Sequence, residues 1–235
     1  MIKIKKVKFK CILGKIKELF DLIAFDLDGT LIDSSPGIFR CFNLGLVAAG
    51  REACAPSELR RVIGPPLRLS YGEFFGLNDE EIQVAISAYR AEYFVRGCLE
   101  GELYPGMMDT LKSLFDAGYR LCMATSKPEV MAKKMAGAFG FDQYFTAICG
   151  GGLDGHDDKP TLISRALAAA DVTDPARACM VGDRLFDMQG AKTVGTYAIG
   201  VLYGFGSRRE LEQAGADAIA ETAMDISKII RQKRE

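Results

Sequence analysis

The chain has 235 residues, 49% hydrophobic and 26% charged, with a net charge of −1. That is long enough for one large domain or for a core with a smaller insert, and the near-neutral charge argues against a nucleic-acid polymer as partner. No apolar run is long enough to span a bilayer, so no membrane association is expected. The seven cysteines are odd in number and never form a C-x-x-C pair, which favours reduced thiols and a cytoplasmic location over a disulfide framework.

Residues 1–20 stand apart. Seven lysines and no acid lie between Met1 and Lys17, and the residues after position 20 carry 23 basic against 30 acidic side chains, a net of −7. Lysine alternates with Ile, Val and Phe, so there is no secretory signal core. A surface tether is one reading of this basic N-terminal extension; a frayed or upstream-start extension is the plainer one.

Leu22-Ile-Ala-Phe25 then reads as a buried strand running into Asp26-Leu-Asp28-Gly-Thr30. Side chains at i and i+2 of a strand share a face, so the two carboxylates crowd at its C-terminal edge. Crowded like charges need a cation or a bound proton, and Mg²⁺ is the hard ion that oxygen ligands suit.

Residues 36–103 lack a convincing strand. Pro36–Ala49, Pro56–Val62 and Asp79 to about Val95 read as helices, the last opened by Asn78-Asp79-Glu80-Glu81, acids suited to a helix N-terminus. Phe39, Phe42, Phe74 and Phe75 are expected to fill the core of this helical insert, with hinges near 34–36 and 103–106 and Asp33 at the first of them.

From residue 104, strand candidates at Tyr119–Thr125, Tyr144–Cys149, Ala178–Val181 and Thr196–Ile199 alternate with helix candidates near 106–117, 129–138, 160–170 and 187–194. Such alternation predicts an α/β fold, a doubly wound, mostly parallel sheet with helices on both faces. Its functional loops lie at the carboxyl ends of the strands. The expected division is a catalytic core of 21–35 and 104–235 with an all-helical cap of 36–103 inserted after the first strand, placed where a lid belongs.

Three later segments meet the same sheet edge. Thr125-Ser126 ends a strand and opens a helix, so its hydroxyl and N–H groups suit either a phosphate or an ordinary N-cap. Lys159 opens a helix, against the dipole preference for cations at the other end; an anion in the site or a plain surface position accounts for it. Gly182-Asp183-Arg-Leu-Phe-Asp187 places two acids four residues apart, on one face of a helical start, and carboxylates from two strand ends can share one Mg²⁺. Gly150-Gly-Gly152 reads as a flexible loop containing His156 at its far side, the single histidine, expected at the surface.

Asp26-Leu-Asp28-Gly-Thr30, Thr125, Lys159 and Gly182-Asp183-x-x-x-Asp187 fall in the order of the haloacid dehalogenase superfamily, which residues 21–220 resemble. The helical insert, Val62-Ile-Gly-Pro-Pro-Leu67 and Gly200-Val-Leu-Tyr-Gly-Phe-Gly206 are similar to its phosphoglycolate phosphatase-like branch, some of whose members are nucleotidases. The resemblance implies a Rossmann-like core and a Mg²⁺-dependent phosphatase of small phosphomonoesters, phosphoglycolate phosphatase-like or 5′-nucleotidase-like. Asp26 would be nucleophile and metal ligand, forming an aspartyl-phosphate. Asp28 would serve as acid then base and lend its backbone carbonyl to the metal. Asp183 would complete the protein ligands, Asp187 would support them or position Lys159, and Thr125, Ser126 and Lys159 would hold phosphoryl oxygens. The partner would be a small phosphorylated metabolite, the protein a monomer or homodimer. A phosphomutase, which shares the Asp28 acid, is the alternative within enzymes, and a non-catalytic phosphate-binding protein the alternative outside them. Candidate substrate contacts from the cap are Arg40, Arg61, Arg68 and the Gly64-Pro65-Pro66 turn, with a solvated surface position the plainer reading of each arginine.

Overall fold

The computed structural model describes residues 19–153 and 157–233. The lysine-rich segment up to residue 18 and His156 lie outside them.

Six strands form one sheet: β1 (Leu22–Phe25), β4 (Arg120–Pro128), β5 (Ala147–Gly151), β6 (Ala178–Gly182), β7 (Tyr197–Val201) and β8 (Ala218–Ala220). Their order is β5-β4-β1-β6-β7-β8, and every pairing is parallel. Two further strands, β2 (Ile32–Asp33) and β3 (Glu102–Leu103), pair antiparallel as a separate ribbon.

Among the described residues ten α-helices surround these strands: α1 (Ser35–Ala48), α2 (Pro56–Leu59), α3 (Leu67–Leu69), α4 (Asp79–Tyr93), α5 (Met107–Asp116), α6 (Glu129–Phe139), α7 (Lys159–Ala169), α8 (Leu185–Val194), α9 (Arg208–Gln213) and α10 (Ala223–Gln232). The period-2 alternation of β1 divides the core in two. Ile23 and Phe25 join the cluster containing Leu111 of α5, Met135 of α6 and Ile226 of α10. Leu22 and Ala24 join the opposite cluster, with Leu162 of α7 and Met188 of α8. Burying both faces explains why these strands read as continuous apolar runs.

Helices α1 to α4 are the segment between β2 and β3. Ile32 pairs with Leu103 and Asp33 with Glu102, so the two chain crossings into that segment are zipped together. Asp33 Oδ1 accepts a 3.0 Å hydrogen bond from Ser35 N, fixing the start of α1. Asn78 and Glu81 cap α4 reciprocally: Glu81 N donates to Asn78 Oδ1 at 3.0 Å and Asn78 N to Glu81 Oε2 at 2.9 Å. Phe42 stacks on Tyr71 with centroids 4.0 Å apart. Gly45 allows that approach, because a Cβ there would collide with the Tyr71 hydroxyl.

Four boundaries differ from the sequence expectation. Strand β4 continues past Thr125 to Pro128, with a register shift between those residues; such irregularities redirect side chains beside functional sites. Residues 142–144 form a 3₁₀ turn, and β5 instead takes in Gly150 and Gly151, which therefore belong to the sheet and not to a loop. A Cβ at Gly150 would meet the Glu129 backbone, so close packing of β5 on α6 is what calls for glycine there. The 56–62 helix splits into α2 and a 3₁₀ turn at Arg60–Val62. Strand β8 and helices α9 and α10 were not anticipated: β8 is three residues, two of them Ala, a type depleted in strands.

Candidate active site

The sheet order places β1 between β4 and β6, so chain connections leave it in opposite directions. In an open parallel sheet the crevice outside the carboxyl ends at such a point is the binding position. Asp26 follows β1, Thr125 lies in β4, and Asp183 follows β6. The fold therefore brings Asp26, Asp28, Thr125, Ser126, Lys159 and Asp187 to one cavity of about 750 Å³.

Lys159 opens α7 and is 6% exposed. Its Nζ lies 2.7 Å from Asp187 Oδ1 and 3.1 Å from Asp26 Oδ1, and donates to the Ala124 carbonyl at 3.1 Å. The unusual helix-start lysine is thus explained by two carboxylates, the buried Asp187 and the half-buried Asp26. Gly190 of α8 makes room, since a Cβ there would run into the lysine stem.

Asp183 is fully buried. Thr30 Oγ1 donates to its Oδ1 at 3.2 Å and Phe205 N to its Oδ2 at 2.8 Å. Gly29, at φ +81°, and Gly204 form the walls around it; a Cβ at either would strike the Asp183 side chain. Asp187 Oδ2 accepts from Arg184 N at 3.0 Å, and Gly182 leaves the space its carboxylate fills.

Asp26, Asp183 and Asp187 can each offer an oxygen within 4.8 Å of the others. Burial raises the Asp26 pKa to about 6; Lys159 opposes the rise and Asp187 adds to it. Asp183 is pushed well above the usual carboxylate range, first by burial and then by Asp187 and Asp26. Burial works against the Lys159 ammonium, but Asp187 and Asp26 outweigh it and raise its pKa. Once ionised, three carboxylates against one ammonium leave two negative charges for a divalent cation to balance. Asp26 Oδ1 and Asp187 Oδ1 are buried without an aligned hydrogen bond. Hard, partly orphaned oxygen donors fit a hard divalent ion.

Asp28 stands apart from the triad. Its Oδ2 is 2.7 Å from Lys127 Nζ, while its Oδ1 is buried with no hydrogen-bond partner. Lys127 also donates to the hydroxyl of Tyr93 on α4 at 2.7 Å. Neither Lys127, two residues beyond the apolar run that ends at Thr125, nor Tyr93, one of the apolar positions of its helix, stands out in the sequence as a site residue. Arg184 was missed as well. It reaches the Ile63 carbonyl at 2.5 Å and Glu210 Oε1 at 2.9 Å, joining the segment after β6 to the Gly64-Pro65-Pro66 turn.

The cap arginines separate. Arg68 lines the cavity and pairs with Asp79. Arg40 and Arg61 are absent from the cavity lining, as the plainer reading of each arginine has it. Arg40 is held by Glu92 at 2.8 Å and Glu100 at 2.6 Å. Arg61 donates to the Phe74 carbonyl at 3.1 Å and lies over the Phe74 and Phe75 rings, where those half-buried aromatics hold it. Ser126 is exposed at the mouth, and Arg90 and the Gly64-Pro65-Pro66 turn line the cap side.

Fold and site together define a capped α/β hydrolase whose chemistry lies at the carboxyl edge of a parallel sheet. Residues 23–201 match the haloacid dehalogenase-like hydrolase family, and the chain belongs to it. A 5′-nucleotidase of Pseudomonas aeruginosa is 37% identical over 189 residues, 80% of this chain and 86% of that protein. The tyrosine-protein kinase PtkA of Mycobacterium tuberculosis is 35% identical over 203 residues, 86% of this chain and 69% of that protein. A crystal structure from Clostridium acetobutylicum, described as a predicted phosphatase, superposes with a TM-score of 0.85 at 37% identity, covering 91% of this chain and 99% of its own. Other relatives are named phosphoglycolate phosphatase. The chain is an enzyme of the phosphatase kind that most of these relatives represent. Among the described residues no helix is long and apolar enough to cross a membrane.

Proposed function

We propose that this protein is a Mg²⁺-dependent phosphatase that hydrolyses small phosphomonoesters through an aspartyl-phosphate on Asp26. The observation that carries the reading is the placement of Asp26 at the end of β1, beside Lys159 and the Asp183–Asp187 pair, with the unpartnered Asp28 Oδ1 in the same cavity.

Asp26, the Asp28 backbone carbonyl and Asp183 would hold Mg²⁺, which supplies charge neutralisation for the phosphoryl oxygens. Phosphoryl transfer is mainly positioning and electrostatic stabilisation. An Asp26 oxygen attacks phosphorus as the bond to the leaving oxygen breaks, and Asp28 gives that oxygen its proton. Asp28 then takes a proton from water, which attacks phosphorus and breaks the bond to Asp26, releasing inorganic phosphate. Thr125, the Ser126 backbone and Lys159 neutralise and orient the phosphoryl oxygens, while Asp187 fixes the Lys159 ammonium. Residues 36–103 act as the cap over a core of 21–35 and 104–235, limiting water access to the first step.

Cavity size favours a large leaving group. A space of about 750 Å³ walled by Ile63, Pro65, Ile86, Tyr89, Phe94 and Phe186 has the apolar, partly aromatic character of sites for drug-sized ligands. A two-carbon phosphate would leave most of it filled with water, whereas a nucleoside 5′-monophosphate presents a flat ring to those walls. The 5′-nucleotidase relative is consistent with that choice.

The test is kcat/KM with Mg²⁺ across nucleoside 5′-monophosphates, phosphoglycolate and a β-sugar phosphate, scoring released phosphate and isomerised product separately. Nucleoside monophosphates are expected to lead. Isomerised sugar phosphate without phosphate release would replace the phosphatase reading with the mutase.

A further inference from the structure

We propose that Lys127 and Tyr93 form a positioning relay that sets the orientation of the Asp28 carboxylate according to where the cap sits. This rests on the reading of Asp28 as acid and base.

Lys127 lies within the irregular end of β4, between Thr125 and Pro128. Its side chain points to the same side as Thr125, as strand alternation requires, and is 6% exposed while neighbouring Ser126 faces solvent. A buried ammonium requires partners, and two are supplied from opposite sides of the cavity. Asp28 Oδ2, from the core, is 2.7 Å away. Tyr93 Oη, from the last residue of α4, is also 2.7 Å away, with the ammonium 4.7 Å from the centre of its ring. Tyr93 is itself held by stacking on Tyr89, ring centres 5.0 Å apart.

The two oxygens of Asp28 are therefore distinguished. Oδ2 is occupied by Lys127, and Oδ1 is buried and unpartnered. Gripping one oxygen directs the other to the proton it must give or take, and a carboxylate with one anchored oxygen has lost the rotation that would misalign it. Because Tyr93 belongs to the cap and Lys127 to the core, the anchor is complete only when α4 is seated over the sheet. Lys127 and Tyr93 are positioning residues, acting through Asp28.

Aryl phosphates of similar size but different leaving-group basicity separate this role from phosphate binding. p-Nitrophenolate leaves without needing a proton, whereas the phenolate of phenyl phosphate profits from one. In Lys127→Met, kcat/KM is expected to fall about tenfold further on phenyl phosphate than on p-nitrophenyl phosphate, a part of the roughly 10²–10⁴-fold that general acid catalysis supplies. Tyr93→Phe, which keeps the ring and its stacking, should show the same discrimination to a smaller degree. Lys127→Arg should recover part of it. Equal losses on both esters in Tyr93→Phe and Lys127→Met, or a loss confined to KM, would overturn the relay. Asp28→Asn is the reference. If it shows no leaving-group discrimination, the acid assignment itself fails; if it discriminates while the other two do not, the relay alone fails.

Discussion

Lys159 Nζ stands 2.7 Å from Asp187 Oδ1, with both side chains at or below 5% exposure. This pair fixes the ammonium within 3.1 Å of the nucleophile candidate Asp26, so one buried cation serves two acids. Lys159→Met should cost about 3–5 kcal/mol of folding stability, the range for removing one partner of a buried ion pair, and lower kcat by about 10²–10³, as losing a preorganised electrostatic donor does. Chemical denaturation with and without Mg²⁺, beside steady-state kinetics, checks both; an unchanged denaturation midpoint would mean that the acids do not depend on the lysine.

Asp26→Asn should abolish phosphate release from p-nitrophenyl phosphate and leave the fold intact. In the metal-free protein it should also raise stability near neutral pH, because it removes one of three crowded buried carboxylates. Near-wild-type turnover in this variant would discard Asp26 as nucleophile.

The Asp26 pKa of about 6, raised above its ordinary 3.8 by burial, makes the metal-free protein sensitive to pH. A raised carboxyl pKa means that the folded chain holds the proton more tightly than the unfolded chain. The associated stability is fully present below pH 3.8 and lost as pH rises through about 6. Metal ligands must be deprotonated, so Mg²⁺ affinity is expected to weaken as pH falls below about 6. Titration calorimetry at pH 5 and pH 7.5 would measure it, and an affinity independent of pH would contradict the assignment of Asp26 as a ligand. EDTA should stop turnover and Mg²⁺ restore it.

A methyl group at Gly182 would enter the volume that the Asp187 carboxylate fills. Gly182→Ala should destabilise by about 1–3 kcal/mol, the usual cost of overpacking, and depress kcat by moving Lys159 with Asp187. Thermal melts and kcat on one sample test the link; loss of stability without loss of kcat would place Asp187 outside the working site.

The i, i+2 spacing of Asp26 and Asp28, the apolar strand runs and the strand–helix alternation are local features, set by backbone geometry over a few residues, and they were legible in the chain. They determined the parallel sheet, the carboxylates at its edge and the order in which Thr125, Lys159 and Asp183 meet them. Short, weakly patterned pieces such as β8 were not legible, because packing against β7 rather than propensity makes them strands. Only the tertiary structure decided which cap residues face the cavity. Arg40 and Arg61 turned to Glu92, Glu100 and Phe74, while Tyr93 met Lys127 across the interface. Residues 34 positions apart on different modules carry no periodic signal; their contact depends on how α4 is seated over the sheet, a property of the whole fold.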